Sequence, residues 1–77
     1  MKYFITGVSG FIGSNLAREL ATDGHTVNAI IRSPLNSDLK DLPNIHLFRG
    51  DLFDKEVLLK AMEGCEVVFH LAALAKA

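Results

Sequence analysis

Apolar and polar residues follow two rhythms along this chain, and the rhythm switches six times. Lys2–Thr6 (KYFIT) is short, β-branched and aromatic, and it stops at Gly7, which reads as a strand. From Phe11 to Asp23 the apolar residues Ile12, Leu16 and Leu20 recur every four positions, with Ala17 and Ala21 beside them. That spacing predicts one apolar helix face, and Gly24 supplies the stop. Thr26–Arg32 (TVNAIIR) predicts a second strand. Ser33–Asn44 holds both prolines and no clear period, so it predicts a loop with one helical turn at Ser37–Leu42. Ile45–Arg49 (IHLFR) predicts a third strand. Asp54 stands as an N-cap before a helix over Lys55–Glu63, whose Val57, Leu58, Ala61 and Met62 share one side, and Gly64 ends it. Glu66–Leu71 (EVVFHL) is nearly continuous in apolar residues. Strands apolar on both faces belong to parallel sheets covered by helices. The order β-α-β-loop-β-α-β therefore predicts an α/β fold with right-handed crossovers and strand order 3-2-1-4.

Composition narrows the class. The 77 residues carry eight Lys/Arg and nine Asp/Glu, and 49% of them are hydrophobic. That is too apolar and too weakly charged for a disordered chain. The length allows one domain over 1–77, in which only ~60% of the unfolded surface is buried on folding. One cysteine excludes an internal disulfide framework, and no Cys/His cluster has zinc spacing. A net charge of −1 gives no electrostatic reason to expect nucleic acid or an anionic membrane as partner. Residues 3–17 are uncharged and follow Lys2, as in a signal peptide, but three glycines with Thr6, Ser9, Ser14 and Asn15 break the apolar run. The segment is also too short and polar to span a bilayer. A cytoplasmic location is the expectation.

The informative residues lie between the first strand and the first helix: Gly7-Val8-Ser9-Gly10-Phe11-Ile12-Gly13. Gly7 permits a tight turn out of the strand, Gly10 lets backbone approach a pyrophosphate, and Gly13 lets the helix pack closely on the sheet. The helix start offers free N–H groups and partial positive charge to phosphates. The Ile12 N–H is placed for a phosphate oxygen, Ser9 and Ser14 add hydroxyl donors, and the Phe11 and Ile12 side chains are expected to pack. No Lys-Ser/Thr follows the glycines, which excludes a P-loop. The competing reading is a structural turn without ligand. The strand-to-helix context favours nucleotide binding.

The spacing is G-x-x-G-x-x-G, and here a resemblance becomes specific. Thr6-Gly7-x-x-Gly10-Phe11-Ile12-Gly13 resembles the cofactor motif of the extended short-chain dehydrogenase/reductases, which include nucleotide-sugar epimerases, dehydratases and dihydroflavonol-reductase-like enzymes. Gly50-Asp51-Leu52, followed by Asp54, resembles that family's motif after the third strand, whose aspartate contacts the adenine amino group. Gly64-Cys65, followed by Val67-Val68-Phe69-His70-Leu71-Ala72-Ala73, resembles its fourth-strand motif beside the cofactor ribose and pyrophosphate. Arg32-Ser33 resembles the branch that uses NADP. The resemblance implies a Rossmann-type sheet with cofactor contacts from Gly7, Ser9, Gly10, Phe11, Ile12, Gly13, Arg32, Ser33, Asp51, Leu52, Leu71, Ala72 and Ala73. It implies NADP, with NAD as the alternative, and a nucleotide-sugar or similar hydroxyl/carbonyl substrate.

Individual residues carry two readings each. Arg32 stands about 20 residues past the glycine turn, where an acid would bond the ribose of NAD and an arginine suits a 2′-phosphate. The alternative is a solvated arginine at a strand end. Asp51 serves either as a ligand contact at the carboxyl end of a strand or as a turn residue, and both can hold. His70 is expected to be satisfied by hydrogen bonds within the sheet, and Cys65 to be a small, partly buried residue. His25 and His46 join no constellation. The resembling enzymes use a Tyr-x-x-x-Lys pair, whereas the only tyrosine here is Tyr3, with Gly7 four residues later. The expectation is an N-terminal portion, ending after the fourth strand, that binds a dinucleotide and lacks activity alone. Its fourth strand is expected to self-associate through an open edge. The rival readings are a non-catalytic nucleotide-sensing regulator of the same fold and a small interaction module.

Overall fold

A computed structural model describes residues 1–8, 10–32, 38–51 and 53–70. The elements are β1 (Lys2–Thr6), α1 (Phe11–Thr22), β2 (Thr26–Ile31), a 3-10 turn (Asp38–Asp41), β3 (Ile45–Arg49), α2 (Lys55–Met62) and β4 (Val67–His70). All strand pairs are parallel, and the order is β3-β2-β1-β4, as the pattern predicts. Leu71 falls outside the described residues.

Helix ends follow from backbone geometry. Gly24 adopts φ +89°, the His25 N–H donates to the Leu20 carbonyl, and the Gly24 N–H donates to the Ala21 carbonyl. This is a Schellman closure, and it ends α1 one residue before the expected Asp23. Asp54 caps α2 by accepting from the Val57 N–H at 3.4 Å.

The sheet has two covered faces. On one, α1 and the 3-10 turn lie over Ile5, Val27, Ala29 and Ile45, with Leu39 fully buried between them. On the other, α2 lies over Phe4, Ile30 and Phe48. Neighbouring residues of one strand thus enter opposite cores, which is why β1 and β2 read as continuous apolar runs. The buried seam of α1 is Gly13, Ala17 and Ala21, with Leu16 and Leu20 flanking it. Ile12 is not part of that seam. Small residues face inward because α1 sits close to the turn it leaves.

Two features resist the pattern. Asn28 is buried in the middle of β2, and its Nδ2 donates to the Ala61 carbonyl at 2.8 Å. That carbonyl belongs to the last turn of α2, where no intrahelical donor is available. Asn28 therefore ties α2 to the sheet. β4 departs from expectation as well: its residues alternate between half-buried and exposed, and Val68 is 48% exposed. The reason is that α2 packs over β2 and β3, and β4 pairs with β1 alone among the described residues.

Candidate dinucleotide site

The site is built on the turn from β1 to α1. Gly7 takes φ +82°, a conformation that L side chains rarely adopt. Its carbonyl accepts from the Gly10 N–H at 3.1 Å and points into the start of the helix. A Cβ on Gly13 would stand 2.1 Å from that same oxygen. Gly13 is therefore demanded by the turn itself. Gly10 differs, because a Cβ there would meet Gly7 O at 3.4 Å, an ordinary contact. Among the described residues, no contact requires glycine at position 10.

Gly10 is also the N-cap of α1. As a glycine it brings no side-chain cap, and no acidic residue stands in the first turn of α1. The N–H groups of Phe11, Ile12 and Gly13 have no acceptor within the helix, and they carry the positive end of its dipole. The α2 terminus is the internal contrast: Asp54 caps it and Glu56 occupies its first turn. The α2 terminus carries a capping carboxylate and an acidic first turn, and the first turn of α1 carries no acid. The Ser14 hydroxyl is not available as an added donor, because it already donates to the Phe11 carbonyl at 3.0 Å. Phe11 and Ile12 are 83% and 62% exposed. They do not pack as expected, since the first helical turn projects past the edge of the covered sheet.

The ends of β2 and β3 are stitched beside this turn. The Gly50 N–H donates to the Ile31 carbonyl at 2.8 Å, so Arg32 and Asp51 emerge side by side, both exposed. The Asp51 Oδ1 accepts from the Phe53 N–H at 2.9 Å, and the Asp51 carbonyl accepts from the Asp54 N–H at 2.9 Å. The turn reading of Asp51 is present in the structure, with its second carboxylate oxygen left over. Ser9, Ser33, Leu52, Leu71, Ala72 and Ala73 lie outside the described residues.

The remaining candidates fall away from this edge or serve the scaffold. The His70 Nδ1 lies 2.9 Å from the Thr6 Oγ1 across the β1–β4 pair, the within-sheet bond expected of it. The Cys65 Sγ donates to the Ala61 carbonyl at 3.4 Å, and burial pushes its thiol pKa up against the opposing charge of Lys2. Such a thiol is a poor nucleophile. Tyr3 lies near the start of β1, away from the glycine turn, between His25 and Phe69 at centroid distances of 5.3 and 5.9 Å. His46 is exposed on β3. Among the described residues no His/Cys/Asp/Glu group could hold a metal ion, and no helix is long and apolar enough to cross a membrane. Phe53 is a large exposed aromatic in a turn position that usually takes Gly, Asn, Asp or Ser.

Residues 3–77 match the model of the NAD-dependent epimerase/dehydratase family. The chain belongs to that family. A putative dihydroflavonol 4-reductase of Synechocystis sp. is 43% identical over 72 residues, which cover 92% of this chain and 20% of the relative. Vestitone reductase from alfalfa superposes with a TM-score of 0.75 at 34% identity, over 90% of this chain and 24% of the reductase. A UDP-glucuronic acid 4-epimerase from Bacillus cereus, in complex with NAD, gives 0.71 at 29% identity, over 92% of this chain and 26% of the epimerase. This epimerase/dehydratase-family chain thus spans about a fifth of the length of the curated relatives it matches. Its sheet is the parallel Rossmann sheet of these family members, carrying the glycine turn at the same strand-to-helix junction that the resemblance implies.

Proposed function

We propose that the chain is the N-terminal dinucleotide-binding portion of a reductase or epimerase/dehydratase that uses NADP. The observation that carries this is the open, uncharged N-terminus of α1 above a glycine turn at the centre of the sheet's carboxyl edge. Strand order reverses there, since β1 has β2 on one side and β4 on the other. Open α/β sheets bind ligands at that switch point. The N–H groups of Phe11, Ile12 and Gly13 serve the pyrophosphate, and Gly10 keeps the approach clear. Arg32 meets the 2′-phosphate at the end of β2. Asp51 offers its free carboxylate oxygen to the adenine amino group.

The nicotinamide, when bound, supplies hydride transfer. This chain supplies binding and orientation only, because no tyrosine–lysine pair is present to move a proton at a carbonyl. The substrate class proposed for the whole enzyme is a nucleotide-sugar or a similar hydroxyl/carbonyl compound.

Calorimetric titration tests the reading. Gly10→Val puts a branched side chain in the pyrophosphate approach, and NADP should bind the parent but not this variant. Arg32→Ala should weaken NADP about tenfold to a hundredfold while leaving NAD nearly unchanged, as expected for one charged hydrogen-bonding contact. Equal NADP binding by parent and Gly10→Val overturns the site. Parallel weakening of NADP and NAD overturns the role of Arg32.

A further inference from the structure

We infer that Phe53 supplies an aromatic wall against which the adenine ring of the bound dinucleotide stacks. This rests on the dinucleotide reading above and deepens it. Phe53 is 95% exposed, the most exposed large apolar side chain among the described residues. It contributes nothing to either core. Its backbone is nonetheless tightly fixed. The Asp51 carboxylate holds its N–H, and the Asp51 carbonyl holds the Asp54 N–H directly after it. Asp54 then caps α2, and the first turn of α2 presses so closely on the end of β3 that a Cβ on Gly50 would meet Val57 at 2.9 Å. An aromatic ring is thus carried on a braced turn and left in water, where folding gains nothing from it.

Its place in the sheet says what it faces. With the pyrophosphate at the β1 turn and the ribose at the end of β2, the base reaches the end of β3, roughly 10 Å across the sheet edge at two strand spacings. Phe53 stands at that end, two residues beyond Asp51. The Gly50–Ile31 bond joins the ends of β2 and β3, so Arg32 leaves the same edge of the sheet. Arg32 and the turn that carries Phe53 both belong to the edge where the base arrives. A base buried on an exposed ring gains stacking and apolar burial together.

The test uses AMP, with ribose 5-phosphate as the ligand lacking a base. Phe53→Ala should weaken AMP about tenfold, the scale of one base–aromatic stack, and leave ribose 5-phosphate binding unchanged. Phe53→Tyr should bind AMP like the parent, while Phe53→Leu, which keeps apolar area but has no π face, should not. The chain contains no tryptophan, so Phe53→Trp creates a single tryptophan that can be excited apart from Tyr3. Its emission should be quenched by AMP and not by ribose 5-phosphate. AMP binding to Phe53→Ala as tight as to the parent, full retention in Phe53→Leu, or unmoved tryptophan emission at saturating AMP each overturns the stack. In all three cases the glycine-turn site still stands. Failure of the parent to bind AMP at all overturns both readings.

Discussion

At the residue scale, the three glycines of the turn separate by what constrains each of them. Gly7 is fixed by its backbone angle, Gly13 by the Gly7 carbonyl, and Gly10 by no contact among the described residues. Gly13→Ala should therefore lower stability by on the order of 3 kcal/mol, because a methyl group and a backbone oxygen cannot share that space. Gly10→Ala should unfold at nearly the parent temperature. Thermal melts followed by circular dichroism distinguish the two, and equal melting points would mean that α1 shifts freely on the sheet. The glycine motif alone did not reveal this division of labour. Spacing marked three positions, and only the direction of one carbonyl shows which of them the fold needs.

At the scale of elements, nearly everything that periodicity could carry was legible. Strand order, parallel pairing and the Asp54 cap follow from period, stops and cap chemistry. What stayed hidden depends on neighbours distant in sequence. The inward stripe of α1 proves to be Gly13-Ala17-Ala21 because close packing selects small residues, whereas hydrophobicity pointed at Ile12. The half-open face of β4 depends on where α2 lands. In the site, Asp51 was ambiguous because turn formation and ligand contact call for the same side chain. Asn28 is the sharpest case, a polar residue in an apolar strand whose partner lies 33 residues away. Asn28→Asp keeps the shape but replaces the Nδ2 donor with an oxygen facing the Ala61 carbonyl. Protonated, the acid can donate there. Ionised, it is a buried charge, so its folded pKa must rise above the unfolded value of about 4. The variant should be near parent stability below about pH 4 and lose stability as pH climbs past it. Urea melts across pH check the sign, and a pH-independent difference would refute the Asn28 strut.

For the whole molecule, the chain spans about a fifth of the length of the curated relatives it matches, and two expectations concern the 77 residues taken alone. The first is an expected lack of turnover. With no proton-transfer pair, purified chain should give no NADP reduction with sugar nucleotides or secondary alcohols, and turnover that tracks the purified chain would overturn that expectation. The second is association. β4 presents Val67-Val68-Phe69 with no lysine or proline inside the strand, and Leu59 and Met62 are also exposed on α2. Unprotected apolar edges pair with copies of themselves. Light scattering after size-exclusion chromatography should show dimers or larger species, and Val68→Lys should shift them toward monomer. A sharply monomeric parent at high concentration would refute pairing through β4.

The β1–β4 seam also sets an order of assembly. Thr6 and His70 meet across 64 residues, so β4 docks on β1 only after everything between has been made. Long loops are entropically slow to close, and a chain synthesised from its N-terminus presents β4 after the other three strands. The glycine turn has no such delay. Gly7, Gly10 and Gly13 touch within a single turn of chain, and the Schellman closure of α1 is just as local. A nascent chain can thus hold an anion-ready helix terminus while the central strand still has one naked side. An early-bound nucleotide would then act as a template, favouring those nascent conformations in which the turn is already correct.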